Sequence, residues 1–406
     1  MKEQFIQAIR NLNPNTPLTG KEIEDFYVPR PDNPYSYLKN YLLSEETPKI
    51  PVTGPIGVGK STELNVIRKS LEETFLIISP QPEDMIGKEE MGYISFIFLL
   101  IREMLKIPGV EIPSKMKAVL EDSEDKELKL ERFLERLIDP KKILTFSLSE
   151  NSEKERYNHL RGYQDTLHSS LSLIQNSLEK KYNKKVLFIF DDFEKLDPKV
   201  IEEIFINYMG YIKKIPFPII FTFPLVLSYS PKIQLMQNYY EKPLYLYPID
   251  VENRESSQIN EESIKFFQEV LKKRATDVSF QKWIVEKIAR SSGGLIRIFL
   301  NLARNTVNNA LMDNDDIINT QHVERELQSA RESYFRLLTE EDYNNISKYT
   351  VSRDAVIPGI EKYLVQDIIF EHRDQNGIWY QINPLIKPLV EKYKQRRSKE
   401  REFQRR

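Results

Sequence analysis

Short, wholly apolar runs alternate along this chain with longer stretches in which apolar residues return every three or four positions. Residues 186–190 (VLFIF) form one such run and end in Asp191-Asp192. A strand covered on both faces reads this way, as one inside a parallel sheet does. Residues 218–223 (PIIFTF) form a second run, after a helix expected at 198–213. Residues 49–53 (KIPVT) predict a short strand, 63–73 a helix and 74–79 (TFLIIS) another strand. Strand, helix, strand in this rhythm implies right-handed crossovers in a parallel sheet, hence an α/β fold.

Residues 84–183 separate two of these strands by more chain than a minimal core needs. Their periodicity is helical, with a charged stretch at 121–132, and they predict a helical insertion. Such a segment either pads one face of the sheet or offers a surface to a partner. The longest apolar stretch, residues 93–101, is too short for the ~30 Å of a bilayer core and predicts a buried helix. Ahead of the first strand, a helix, a turn rich in proline (Pro29, Pro31, Pro34) and a second helix are expected.

From about residue 259 the pattern is helical only, with candidates at 260–274, 279–291, 295–312 and 320–336. Residues 367–373 and 378–382 are strand-like and flank Asp374-Gln375-Asn376-Gly377, where Asn-Gly is a strong hairpin signal. Two helices before that hairpin suggest a small winged helix at 335–391. The expected organisation is a core over 1–250 with the insertion at 84–183, a helical segment over 251–334, the winged-helix-like domain over 335–391, and a basic tail over 392–406.

The chemistry is concentrated in Gly54-Pro55-Ile56-Gly57-Val58-Gly59-Lys60-Ser61, which satisfies GxxxxGK[ST] between a strand and a helix. Glycines let such a backbone turn tightly with its N–H groups inward, and the following helix adds the positive end of its dipole. Lys60 is expected to reach the β- and γ-phosphates of ATP, Ser61 to ligate Mg²⁺, and Thr62 to support the α-phosphate side. A second magnesium anchor belongs at the end of a neighbouring strand, where Asp191 stands and can hold the ion through water. Asp192 is positioned to polarise the attacking water, with Glu194 as the competing base.

Composition narrows the alternatives. The 406 residues are 40% hydrophobic and 30% charged, which suits a globular protein with a real core. A net charge of −2 gives no global field for nucleic acid, so any such contact needs a local patch. There is no cysteine, which excludes disulfides, zinc-thiolate sites and thiol catalysis. His159, His168, His322 and His372 show no metal-binding spacing. The first residues lack the apolar core of a signal peptide, so a cytoplasmic protein without membrane contact is expected.

With GPIGVGKST, VLFIFDD, IIFTFP and Ser292-Gly293-Gly294-Leu295-Ile296-Arg297, the chain resembles the AAA+ ATPases and their STAND-type signalling relatives. The likeness covers about 20–330, and the hairpin is similar to that of origin-recognition-type initiators, which carry a winged helix after a helical lid. The resemblance implies an AAA+-like P-loop NTPase with 251–334 as the lid, Thr222 as sensor 1 and Arg297 as sensor 2, both reading the γ-phosphate. It also implies that residues 26–30, Tyr27 among them, face the adenine. Two features depart from the AAA+ pattern. Asp192 stands where a Glu is usual, and no arginine lies between Asp192 and Thr222, leaving Lys213 and Lys214 as substitutes for a finger. A finger is worth roughly 10³–10⁵ in rate. Both departures favour a slow switch over a motor.

Two functions follow from these readings. One is a nucleotide-dependent switch controlling oligomerisation or a protein partner, in the manner the STAND resemblance implies for bacterial antiviral defence. The other is a DNA-binding initiator or loader using the winged helix and the tail, where Lys392, Lys394, Arg396, Arg397, Lys399, Arg401, Arg405 and Arg406 face only Glu400 and Glu402.

Overall fold

The computed structural model describes residues 2–80, 92–110, 164–254, 258–281, 283–349 and 359–404. Most of the expected insertion, including 121–132 and His159, lies outside them. The chain divides into two compact units: residues 35–53 with 66–245, and residues 1–34 with 54–65 and 246–406.

The first unit holds a five-stranded sheet in the order β2-β3-β4-β1-β5. Its strands are β1 (Lys49–Thr53), β2 (Phe75–Ile78), β3 (Lys185–Phe190), β4 (Ile219–Thr222) and β5 (Leu244–Tyr245). Every pairing is parallel. The apolar runs are strands because both faces are covered: Val186 to Phe190 and Ile219 to Phe221 are all 0% exposed. Phe190 pairs with Phe221 and Val52 with Thr222, so Asp191, Thr222 and the end of β1 share the carboxyl edge of the sheet.

Pro51 sits inside β1, a position usually denied to proline. Val52 O accepts from Phe223 N–H at 3.0 Å, and Lys49 O from Glu241 N–H at 3.0 Å, so odd positions of β1 face β5. The β5 pairing starts only at Val52, so the donor that Pro51 lacks has no strand opposite it. Lys49 closes the other end of the sheet. Its ammonium is buried and donates to the carbonyls of Thr47, Ile215 and Phe217 at 2.7, 3.0 and 2.9 Å. Burial pushes that amine down to about 7.

The apolar stretch at 93–101 is helical, and Tyr93, Phe96, Ile97 and Leu99 to Ile101 are buried in it. It lies in α5 (Tyr93–Leu105), which packs on α6 (Gln164–Tyr182). The helix expected at 198–213 is interrupted. Pro198–Ile201 is α-helical, Glu202–Asn207 is a π-helix and Met209–Ile212 is α-helical again. Ile204, Phe205 and Ile206 are buried together in the wide turn, which holds three consecutive apolar side chains inward where a regular helix would turn one of them out.

The second unit begins with α1 (Lys2–Asn11) and α2 (Gly20–Phe26). The α4 helix (Lys60–Leu71) opens in this unit, after α3 (Pro34–Ser44). Its helical segment comprises α7 (Glu261–Arg274), α8 (Ile284–Ser292), α9 (Ile296–Asp313) and α10 (Thr320–Leu337). The expectation of helix alone from 259 needs correcting. Ser279–Phe280 (β6) and Ile317–Ile318 (β7) pair in parallel, two residues each and too short to register as a period-2 pattern. The α8 helix therefore starts at Ile284 rather than 279. Between α8 and α9, Gly294 has φ +81°, and a Cβ there would lie 1.8 Å from the carbonyl oxygen of Ile249. No other residue fits that turn.

The C-terminal elements are α11 (Glu340–Tyr349), α12 (Ile360–Val365), β8 (Ile369–Asp374), β9 (Gly377–Ile382) and α13 (Lys387–Gln404). The expected hairpin is present, with Asp374 paired to Gly377 and only Gln375 and Asn376 at the tip. Asp374 Oδ1 accepts from Asn376 N–H at 2.7 Å and fixes the turn. Among the described residues, no helix is long and apolar enough to cross a membrane.

Candidate functional site

The phosphate motif forms a loop from Gly54 to Gly59 that runs directly from β1 into α4. Gly54, Gly57 and Gly59 have φ of +148°, +86° and +110°. At Gly57 the positive φ is joined by crowding, since a Cβ there would sit 2.4 Å from Arg297 Cβ. The loop is closed by bonds to its carbonyls. Val58 N–H donates to Pro55 O at 3.3 Å. Lys60 Nζ, only 4% exposed as a residue, donates to Gly54 O and Pro55 O at 3.0 and 3.1 Å. Ile56 is exposed while Val58 is buried, so the loop is pinned at Val58. Ser61 and Thr62 lie in the first turn of α4, where helix N–H groups have no intrahelical acceptor. Thr62 Oγ1 accepts from Leu18 N–H at 3.4 Å.

Arg297 lies in the first turn of α9, immediately after the Gly293-Gly294 break. Its N–H donates to Gly57 O at 3.1 Å, and its side-chain stem lies over Gly57. Nε is buried and has no hydrogen-bond partner among the described residues. Tyr27 turns its hydroxyl onto the Glu63 carboxylate, to which it donates at 3.1 and 3.3 Å. Burial pushes the Glu63 carboxyl up to about 7, against the pull of Arg30.

Asp191, Asp192, Glu194 and Thr222 belong to the unit that carries the sheet. One carboxylate oxygen from each of Asp191, Asp192 and Glu194 lies within 4.8 Å of the others. Burial raises the Asp191 carboxyl above the usual range, and the charges of Glu194 and Asp192 add to this, while Arg68 opposes it. A hard cation would offset that accumulation of charge, and oxygen donors are the set magnesium takes, so these residues fit the ion. Asp192 has φ +63°, a left-handed conformation that Asp tolerates, and its side chain pairs with Lys195 at 2.7 Å. Asp192 N–H donates to Asp191 Oδ1 at 2.9 Å. Thr222 is fully buried, and its Oγ1 accepts from Phe193 N–H at 2.9 Å, which fixes the turn after the Asp pair.

Four residues around these sites were not legible beforehand. Arg30 and Glu63 sit within the described loop environment, and Arg68 faces the Asp pair. Asp367 comes from the segment before β8, with φ +55° and Oδ1 buried without a hydrogen-bond partner among the described residues. Burial pushes its carboxyl up to about 6, opposed by Arg297 and Lys60. Of the four, only Arg30 stood in a stretch to which the family resemblance gave a site role; the others lay in stretches read simply as helix or strand. No signal within the sequence marks a residue 70 positions from Arg297 as its neighbour.

A parallel sheet with this strand order, and a GxxxxGK[ST] loop between its β1 and a helix, define a P-loop NTPase. Residues 32–222 match the family described as "KAP family P-loop domain", in accord with the P-loop domain expected from the sequence. No curated protein matches the chain. Among solved structures, a Walker-type ATPase of Pyrococcus abyssi is similar at 14% identity and a TM-score of 0.46, covering 94% of this chain and 99% of that one. Cdc6p of Pyrobaculum aerophilum is similar at 14% identity and TM-score 0.42, covering 95% and 97%. The RuvB Holliday junction branch migration motor of Thermotoga maritima is similar at 16% identity and TM-score 0.42, covering 93% and 98%.

Proposed function

We propose that this protein binds ATP with magnesium, hydrolyses it slowly, and works as a nucleotide-dependent switch controlling oligomerisation or a protein partner. The observation that carries the reading is the contact of Arg297 with the phosphate loop, through Gly57 O at 3.1 Å. A helix that opens on a glycine break and rests its first arginine on the loop can register what the loop holds. Lys60 and the N–H groups of the loop and of the first turn of α4 bind the β- and γ-phosphates. Ser61, and Asp191 through water, are the residues that would hold a magnesium ion, which would supply positive charge to the phosphate oxygens. Asp192 orients the attacking water, and Thr222, whose Oγ1 accepts from Phe193 N–H, is left with its hydroxyl proton to donate toward the γ-phosphate. Aspartate is one methylene shorter than the glutamate usual at that position, and no arginine finger is present between Asp192 and Thr222, which suits slow turnover.

A second reading, nucleic-acid binding through the C-terminal hairpin and α13, draws support from the continuity of α13 as a helix through the basic stretch to Gln404. Salt-dependent DNA binding favours that reading. A change of mass with ATP, without DNA affinity, favours the first.

The switch is tested with Arg297→Ala. Wild type digested lightly with protease is expected to show ATP-specific protection around 255–300, and the variant to lose it. ATP affinity should fall by roughly 1–3 kcal/mol, the value of a charge-assisted contact, with little change for ADP. If the variant keeps the ATP-specific pattern, Arg297 does not sense the γ-phosphate.

A further inference from the structure

Arg30 is a charged residue only 3% exposed, and each of its three guanidinium nitrogens donates a hydrogen bond. Nη1 donates to Val58 O at 2.6 Å, inside the phosphate loop. Nη2 donates to Tyr247 O at 2.8 Å. Nε and Nη2 grip the two carboxylate oxygens of Asp32, each at 2.8 Å. The same group packs beneath Gly59, whose ideal Cβ would lie 3.9 Å from Arg30 Nη1. Such a bidentate, charge-assisted arrangement fixes a guanidinium plane, which lysine could not reproduce.

The consequence lies in the geometry of the peptide bond. In a trans peptide the C=O and the following N–H point in opposite directions. The plane that carries Val58 O also carries Gly59 N–H. A guanidinium that draws the Val58 carbonyl to its own side therefore turns the Gly59 N–H to the other. Gly59, with φ +110° and no Cβ, has little steric resistance to rotation of that plane, so something else must hold it. The neighbouring carbonyls are held separately: Gly57 O by Arg297 N–H, and Gly54 O and Pro55 O by Lys60. Only the 58–59 plane depends on Arg30.

We propose that Arg30 is a positioning residue that pre-forms the phosphate loop, setting the Gly59 N–H toward the phosphates by holding the Val58 carbonyl away from them. It rests on the reading of residues 54–61 as a nucleotide site. Asp32 acts behind it by locking the guanidinium plane. The pair thereby ties the segment between α2 and α3 to affinity for the phosphate chain, without contact between Arg30 and the base.

The test compares ATP, ADP and inorganic tripolyphosphate by calorimetry, each with magnesium, on wild type, Arg30→Ala, Arg30→Lys and Asp32→Asn. Thermal melts of every variant are recorded alongside. Losing one preorganised donor should weaken all three ligands by a similar factor, about tenfold or more in Arg30→Ala, because tripolyphosphate uses the loop as ATP does. Arg30→Lys should rescue little, since an ammonium cannot grip Asp32 and Val58 O in one plane. Asp32→Asn, at a side chain 44% exposed, should fold normally and shift all three ligands by a smaller factor in the same direction. Loss for ATP and ADP with tripolyphosphate unchanged would mean that the segment reads the base, and overturns the proposal. So does a lowered melting temperature with unchanged affinities at low temperature, which is what a merely structural role gives. If wild type binds none of the three, the site reading itself fails and the inference falls with it. Loss of all three ligands in Lys60→Ala, with Arg30→Ala equal to wild type, overturns this inference alone.

Discussion

Lys60→Ala removes ATP binding. The ammonium is buried with the loop, and its two acceptors, Gly54 O and Pro55 O, belong to the loop itself. The charge is therefore already delivered to the place proposed for the phosphates, with its desolvation met by carbonyl dipoles. Phosphate oxygens, being fully charged acceptors, compete well for the same donors. Two charge-assisted bonds at roughly 1.5–3 kcal/mol each amount to a loss of about a hundredfold or more in affinity. Alanine is a good helix former at the start of α4, so the fold should survive, and a thermal melt checks this. Calorimetry that shows unchanged affinity in a folded variant removes residues 54–61 from the phosphate site.

Asp192→Asn should leave ATP binding nearly intact and cut phosphate release by about a hundredfold or more, the scale of a lost general base. The substitution keeps the shape of the side chain, and asparagine tolerates φ +63° as aspartate does. Glu194→Gln is the necessary companion, because the three carboxylates lie within 4.8 Å of one another and any of them could serve the water. If Glu194→Gln stops turnover and Asp192→Asn does not, the base is Glu194. If neither changes it, the protein binds nucleotide as a switch and its hydrolysis owes nothing to this trio. Asp191→Asn, by contrast, should weaken the magnesium dependence of binding rather than the chemistry alone, since burial and like charge both bear on the Asp191 carboxylate and a bound cation would relieve them.

How much of this could be read from the chain depended on whether the signal was local. VLFIF and IIFTF are strands for a reason visible in five residues, and the sheet confirms both. The phosphate loop was legible because its glycines, lysine and serine are contiguous. The hairpin was legible at Asn376-Gly377, though the strands run one residue closer to the tip than expected. The short α2 helix went unread despite a local mark, Thr19-Gly20-Lys21-Glu22, in which Thr19 N–H donates to Glu22 Oε2 at 3.2 Å. The π-helix was not legible at all, because its cause is the set of side chains it packs against. Arg30 stood in a turn that looked like a linker between helices. Its role depends on Val58 and Tyr247, which lie 28 and 217 residues away. Asp367 depends likewise on Arg297 and Lys60.

The central claim is that residues 54–61 hold the phosphates of a nucleoside triphosphate. Its most direct test is calorimetric titration of the wild-type chain with ATP, ADP and AMP in the presence of magnesium. Binding should be saturable for ATP and ADP at one site per chain, and absent for AMP, which lacks the phosphates that Lys60 and the loop take up. If neither ATP nor ADP binds, or if AMP binds as tightly as ATP, the phosphate loop does not do what this account assigns to it.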